Sequence, residues 1–341
     1  MKKNVIIFTL FAALLITYFV QETKKPKKNS SAGYYPVISK EFSPSQVETI
    51  SFYPPNKQQE AVVIKRDSGK EDEWRVQSRF NAPAETAKVK KLLDQVKTME
   101  GELRADDPSL LENFELGKEK SYHLVLSGKG GELQHLLIGK KAETFTFGFV
   151  RIKGTNKVFL ADRDFRYEFG IHGEGATPPD QMKWVNKRIL SIKKEEFLSL
   201  TLEDKNGSIM LEKEENKGGE EKAGGPHDKG ATESWALVNG DSKKGVALDL
   251  VKSLVASVAS FGGRDVFDIT RKKELGLEDP QASLTVTLKG GKKERVFLGS
   301  VQGDPEDKHY VFKEGLNLIF EIDSSAKTRI FDKFKEVAGE S

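Results

Sequence analysis

VRIKGTNKVFLAD, residues Val150–Asp162, returns as VFKEGLNLIFEID, residues Val311–Asp323, without a gap and shifted by 161 positions. Gly154 corresponds to Gly315, Asn156 to Asn317, Phe159 to Phe320 and Asp162 to Asp323. Trp74 and Trp235 stand at the same shift. A period this long means two copies of one domain rather than a solenoid of small units. The 341 residues suit two domains of about 150 residues, each long enough to bury its own core.

Working outward, each copy opens on alternating strands, Val47–Phe52 and Leu198–Leu202, as expected where one face is buried. Second strands follow at Ala61–Lys65 and Ser208–Leu211, and third strands carry the tryptophans at Glu73–Val76 and Ser234–Val238. Between its second and third strands the later copy inserts 212–233, a nearly apolar-free stretch expected to be disordered. A helix comes next. Val89, Leu92, Leu93, Val96 and Met99 form one apolar stripe, and Val251, Leu254, Val255, Val258 and Phe261 repeat its spacing. Glycines then stop each helix, at Gly101 and Gly262–Gly263. Hairpins end the unit, with strands that close on Gly139 and Gly299 and with turns at Gly154 and Gly315. Trp74, Trp235, Gly139, Gly299, Asp162 and Asp323 are therefore read as positions shared by the two copies for packing and turns.

The expected fold is α+β: an N-terminal transmembrane helix, then two tandem repeats of an antiparallel sheet packed with one amphipathic helix. The boundaries are a tail at 1–3, an anchor at 4–21, a linker at 22–44, and repeat domains at 45–186 and 187–336. Asn4–Gln21 is uncharged, and as a helix of about 27 Å it just matches a hydrocarbon core of about 30 Å. Small residues at the spacing of a cleavage site are absent near its end, so an uncleaved anchor is expected over a cleaved signal. Lysines flank the span on both sides, and four follow it against two before it. That count alone favours a cytoplasmic body.

Charge and composition exclude several chemistries. Residues 1–32 hold six lysines and one acid, while the remainder carries 49 basic against 51 acidic residues. The body thus has no bias toward nucleic acid. With no cysteine, disulfides, thiolate metal sites and cysteine nucleophiles are excluded. Ser127–Gly131 lacks the spacing of a phosphate loop and reads as a hairpin turn. Of the histidines, His123, His135, His172, His227 and His309, none pairs at helical metal-ligand spacing. His123 and His135 are expected on strands either side of one turn. His309 follows the acidic loop Asp304-Pro305-Glu306-Asp307, where a weak cation site is the alternative to a solvated loop. There is no G-x-S-x-G elbow. No catalytic, cofactor or metal residues are assigned.

The tryptophan strand, the amphipathic helix, Glu274–Pro280 (ELGLEDP), Val296–Gly299 and the hairpin His309–Asp323 together resemble the bacterial domain-of-unknown-function family 4340. Trp184–Leu190 (WVNKRIL) is similar to that family's link between units, and the resemblance spans about 45–335. The earlier copy departs at the turn, with Phe114-Glu115-Leu116-Gly117 and no proline. The resemblance implies a single-span inner-membrane protein with a periplasmic body, against the lysine count. It also implies an accessory role in an ABC-type transport or envelope complex, and the leading expectation is a non-enzymatic scaffold or accessory subunit there. The expected partners are the inner membrane, through the N-terminal helix, and another envelope protein. A second reading is a glycan- or peptide-binding module using the groove between repeats, and a third is an envelope hydrolase.

Overall fold

The alternation expected over Val47–Phe52 becomes a strand at Thr49–Tyr53 in which Ile50 and Phe52 are fully buried while their neighbours are half-exposed. The computed structural model describes residues 33–69, 72–143, 146–173, 175–214, 234–239, 242–299 and 308–339. Among them one sheet has ten strands: β1 (Tyr34–Pro36), β2 (Thr49–Tyr53), β3 (Val62–Arg66), β4 (Trp74–Val76), β5 (Ala82–Pro83), β6 (Glu100–Ala105), β7 (Tyr122–Gly128), β8 (Gly131–Lys141), β9 (Gly148–Ile152) and β10 (Val158–Ala161). Their order is β1-β6-β10-β9-β8-β7-β2-β3-β4-β5. The other has nine: β11 (Phe197–Asp204), β12 (Gly207–Glu214), β13 (Ser234–Asn239), β14 (Ser242–Gly245), β15 (Asp265–Asp268), β16 (Ala282–Leu288), β17 (Lys293–Leu298), β18 (Lys308–Lys313) and β19 (Leu318–Asp323). Their order is β14-β13-β12-β11-β16-β17-β18-β19-β15. Read from β15, the second sheet places its strands in the same sequence-relative order as the first does from β6. By backbone proximity the chain divides into two compact units, residues up to 63 with 87–180, and 64–86 with 181 onward.

This architecture corrects the expected fold class. Among the described residues the protein is mostly two large antiparallel sheets with few helices, not two α+β repeats of an antiparallel sheet packed with one amphipathic helix. The α-helices among the described residues are α1 (Thr86–Lys97), α2 (Phe165–Glu168), α3 (Leu248–Ala259), α4 (Ser324–Lys327) and α5 (Lys333–Ala338), with a π turn at Thr328–Asp332 between the last two. The reason is edge pairing. Hairpins that look separate in the sequence hydrogen-bond side by side, as where β7 pairs β2 and β16 pairs β11, and each join satisfies a row of backbone groups that an open edge leaves exposed. No described helix is long and apolar enough to cross a membrane. The anchor expected at 4–21 lies outside the described residues, as do His227, the loop 304–307 and the insert from 215 to 233. Residues 212–214 of the expected insert extend β12, with Glu214 opposite Ser234.

The two apolar stripes bury as their spacing requires. Val89, Leu92, Leu93 and Val96 of α1, and Val251, Leu254, Val255 and Val258 of α3, are all buried. Each such side chain contributes about 1.5–3 kcal/mol of hydrophobic burial. Part of the expected linker also belongs to the fold. Tyr34–Pro36 pairs with β6, and Val37 and Ile38 are buried, with the Val37 amide donating to the Met99 carbonyl at 3.0 Å. In the second unit the Ile189 and Leu190 amides donate to the Phe261 carbonyl, the corresponding place after α3. The closing hairpins turn at Gly154 and Gly315, whose φ values of 85° and 81° lie in the left-handed region that glycine tolerates best.

Candidate binding site

Of the six positions read from the sequence as shared, the two tryptophans and two glycines lie in close packing, and the two aspartates make hydrogen bonds. Trp74 and Trp235 are each 2 % exposed. The backbone carbonyls of the pair accept from Ala84 and Val246, which hold the next strand alongside. The Arg66 guanidinium lies 4.5 Å from the Trp74 ring centroid. At Gly139 a β-carbon would stand 2.2 Å from the Phe114 carbonyl oxygen, and at Gly299 it would stand 2.6 Å from that of Leu275. Glycine is therefore set by the approach of the turn before β7 or β16. Asp162 and Asp323 diverge. Asp323 caps α4 by accepting from the Ala326 amide at 2.6 Å. In the first unit that task falls to Asp164, which accepts from the Arg166 amide at 2.9 Å, while Asp162 accepts from the Glu100 amide and faces Arg163.

The segment capped by Asp164 builds a cavity of about 610 Å³ in the first unit. Phe165 and Ile171 line its apolar floor, Gln95 reaches it from α1, and Tyr167 and His172 stand at its mouth. The two rings meet edge to face with centroids 5.4 Å apart, and Tyr167 is 59 % exposed. Polar groups sit in pairs. Gln95 Nε2 lies 3.5 Å from Glu168 Oε1, and Arg163 Nε lies 3.5 Å from Asp162 Oδ1. Burial raises the Asp164 carboxyl above its ordinary range.

What holds this segment is a buried polar and aromatic layer. Arg166 is 7 % exposed, donates to Glu115 Oε2 at 3.0 Å and lies 4.8 Å from the Tyr122 ring centroid. Phe169 stacks on Phe52 at 4.0 Å, and the Tyr122 hydroxyl is within reach of the Gly175 and Thr177 carbonyls. The second unit has a cavity in the corresponding place, between α3 and the helical end of the chain, of about 320 Å³ and lined by Ser253, Ser257, Ser260 and Arg329.

A second concavity of the first unit is an open groove of about 700 Å³. Phe114 and Phe149, centroids 4.8 Å apart, line it with Leu160 and pack beneath onto Leu116, Leu137 and Val158. A register shift between Ile138 and Lys141 interrupts the pairing of β8 with β9, and here Lys140 and Lys141 reach the groove beside Arg104. Glu143 is the one acid among its described lining residues, and Arg104 pairs with Glu102 at 2.9 Å.

The histidines expected on one hairpin are hydrogen-bonded to each other. His123 Nδ1 lies 2.9 Å from His135 Nε2, and His135 Nδ1 lies 2.9 Å from Glu132 Oε2. With Glu132 ionised, His135 donates to it and accepts from His123. Tyr53, opposite His123 in the ladder, stacks on its ring at 4.7 Å. Burial first, then electrostatic interaction with His135, Lys153 and Arg151, lowers the His123 imidazole to about 4. His172 lines the cavity instead, and among the described residues no cluster of side chains fits a metal ion.

A family model described as a domain of unknown function (DUF4340) matches residues 74–270, more than half of the chain. The chain belongs to this family. No curated protein and no solved structure matches it. The DUF4340 span begins on Trp74 in β4 and ends just past β15, so it contains the cavity, the groove and the histidine hairpin. It stops short of Glu274–Pro280 and the last hairpin, on which the resemblance partly rested.

Sequence reading missed the cavity and the groove. Tyr167 and His172 stand in a stretch without periodicity, and the one local signal was Asp164 two and three residues before the amides it caps. Hairpin arithmetic gave a cue to the histidines, since Val125 opposes His135 and places His123 diagonally on the same face.

Proposed function

We propose that this DUF4340 protein is a non-enzymatic accessory or scaffold subunit that docks a partner protein through the first unit. The setting is the one the family resemblance implies, an envelope complex of the ABC-type transport or export kind, with the body outside the cytoplasm. The observation that carries the docking reading is the groove at Phe114, Phe149 and Leu160 with Arg104, Lys140 and Lys141 around it. An aromatic centre with a charged rim is the composition of a protein-binding patch. Its charge balance selects the occupant: an acidic segment of the partner, with an apolar side chain against the phenylalanines and carboxylates on the lysines. Such a segment binds without chemistry, and steering by the cations raises its encounter rate.

The test is carboxylate-to-lysine crosslinking in intact cells, followed by purification of the full chain and peptide mapping. The reading expects Lys140 and Lys141 joined reproducibly to acidic residues of one other protein. It expects recovery of that protein to fall tenfold or more when both lysines are replaced by glutamate. Absence of joined peptides at these lysines, or unchanged recovery from the double variant, would overturn it.

A further inference from the structure

The cavity of the first unit has a chemistry that the docking groove does not use. Its apolar lining includes buried Phe165 and Ile171, and an exposed aromatic ring, Tyr167, lines it as well. Among the polar side chains that line it, two pairs set an acceptor beside a donor, Glu168 with Gln95 and Asp162 with Arg163, and Lys141 and Asp164 line it too. We propose that this cavity is a binding site for a saccharide, taking one or two pyranose rings of a neutral or N-acetylated oligosaccharide.

The argument is complementarity. A pyranose has one face of C–H groups and a rim of hydroxyls, each of which donates and accepts at once. The C–H face suits an aromatic ring, whose π face carries partial negative charge. Two neighbouring hydroxyls suit a carboxylate next to an amide or a guanidinium, because one accepts while the other donates. A volume of about 610 Å³ lies in the range of small-ligand sites and takes more than a single sugar ring. The polar groups are also held in place before any ligand arrives. Arg163 Nη2 donates to Thr98 Oγ1 at 3.0 Å, Asp162 accepts from the Glu100 amide, and the Asp164 cap fixes the turn that carries Tyr167. Preorganisation of this kind lowers the ordering cost of binding.

The second unit supplies an internal contrast. Its corresponding cavity is about half the size, is lined by serines and Arg329, and its one lining ring, Phe261, is buried. The saccharide site is thus assigned to the first unit alone.

Ligand-observed saturation-transfer NMR with the full-length chain tests this, using chitotriose, maltotriose and trialanine as probes, followed by titration calorimetry of any saccharide that responds. Saturation transfer to the ring protons of at least one saccharide is expected, with none to trialanine. Tyr167→Ala should weaken binding about tenfold, whereas Tyr167→Phe, which keeps the ring, should bind within about twofold of wild type. Gln95→Ala gives a second reading from a different element, with a several-fold loss. No transfer to either saccharide, transfer to trialanine alone, or unchanged affinity in both alanine variants would overturn the assignment. Lys141 lines the cavity as well as the groove, whereas Lys140 lines the groove alone, so failure of saccharide binding leaves partner crosslinking at Lys140 untouched.

Discussion

Replacing Gly139 by alanine puts a methyl group 2.2 Å from the Phe114 carbonyl oxygen and 2.9 Å from Leu116 Cγ. Neither can give cheaply. The carbonyl is backbone in the turn before β7, and Leu116 is fully buried in the cluster with Leu137 and Val158. Relief requires the whole turn to move by about an ångström. Overpacking of a tight core costs about 1–3 kcal/mol, and a backbone obstacle puts this site in the upper half of that range. Losing the flexibility of glycine in the unfolded chain returns about 0.4–1 kcal/mol. The net expectation is about 2 kcal/mol of destabilisation. At roughly 2–4 °C per kcal/mol for a unit of this size, the midpoint falls by about 4–8 °C. Gly299→Ala meets the Leu275 carbonyl at 2.6 Å and Leu277 Cγ at 3.1 Å, so its cost should be smaller. Gly130→Ala meets nothing within 4 Å and should stay within about 0.5 kcal/mol of wild type. Thermal and urea unfolding followed by circular dichroism should rank the losses Gly139, then Gly299, then Gly130. A Gly139→Ala protein as stable as the Gly130 control would refute the close-approach argument.

Two further expectations concern buried polar groups. His123 is held near 4 in the folded protein against about 6.5 in an unfolded chain, so the unfolded state takes up its proton first. Stability from this group is complete above about pH 6.5 and is lost as pH falls toward 4. The groups facing it are Tyr53, Glu132, His135, Arg151 and Lys153. His123→Phe, which keeps a ring against Tyr53, should flatten the fall in melting temperature between pH 7 and pH 4.5; equal slopes in both proteins would contradict this. Arg166→Met should destabilise the first unit by about 1–3 kcal/mol, because Glu115 loses its partner and Tyr122 loses the cation on its face. An unchanged urea midpoint would show that the Arg166 layer is not holding the segment that carries the cavity.

The elements of this fold were legible because their signals are local. Alternation marked β2, β7, β11 and β16, and the five-point stripes marked α1 and α3. Gly154 and Gly315 marked turns that need a positive φ. How many strands share a sheet is not local. Nothing in Tyr122–Gly128 says that it pairs β2 on one side as well as β8 on the other, so the local signals point to an α+β repeat while the strands join into a ten-stranded sheet. Tyr34–Pro36 was hidden by a lysine-rich neighbourhood, although buried Val37 and Ile38 directly follow it. The candidate sites are harder still. Lys140 and Lys141 reach the groove through a register irregularity, and Tyr167 reaches its cavity through a four-residue helix too short to show a period. Matching positions showed the frame shared by the two sheets, and the chemistry sits where the two cavities differ.

The most direct test of the docking account is photocrosslinking in living cells from a light-activated residue placed at Phe149, compared with the same residue at exposed Lys91 on α1. The account predicts one discrete heavier product from position 149, reduced when Lys140 and Lys141 are changed to glutamate, and none from position 91. Equal products from both positions, or a product from position 91 alone, would contradict it.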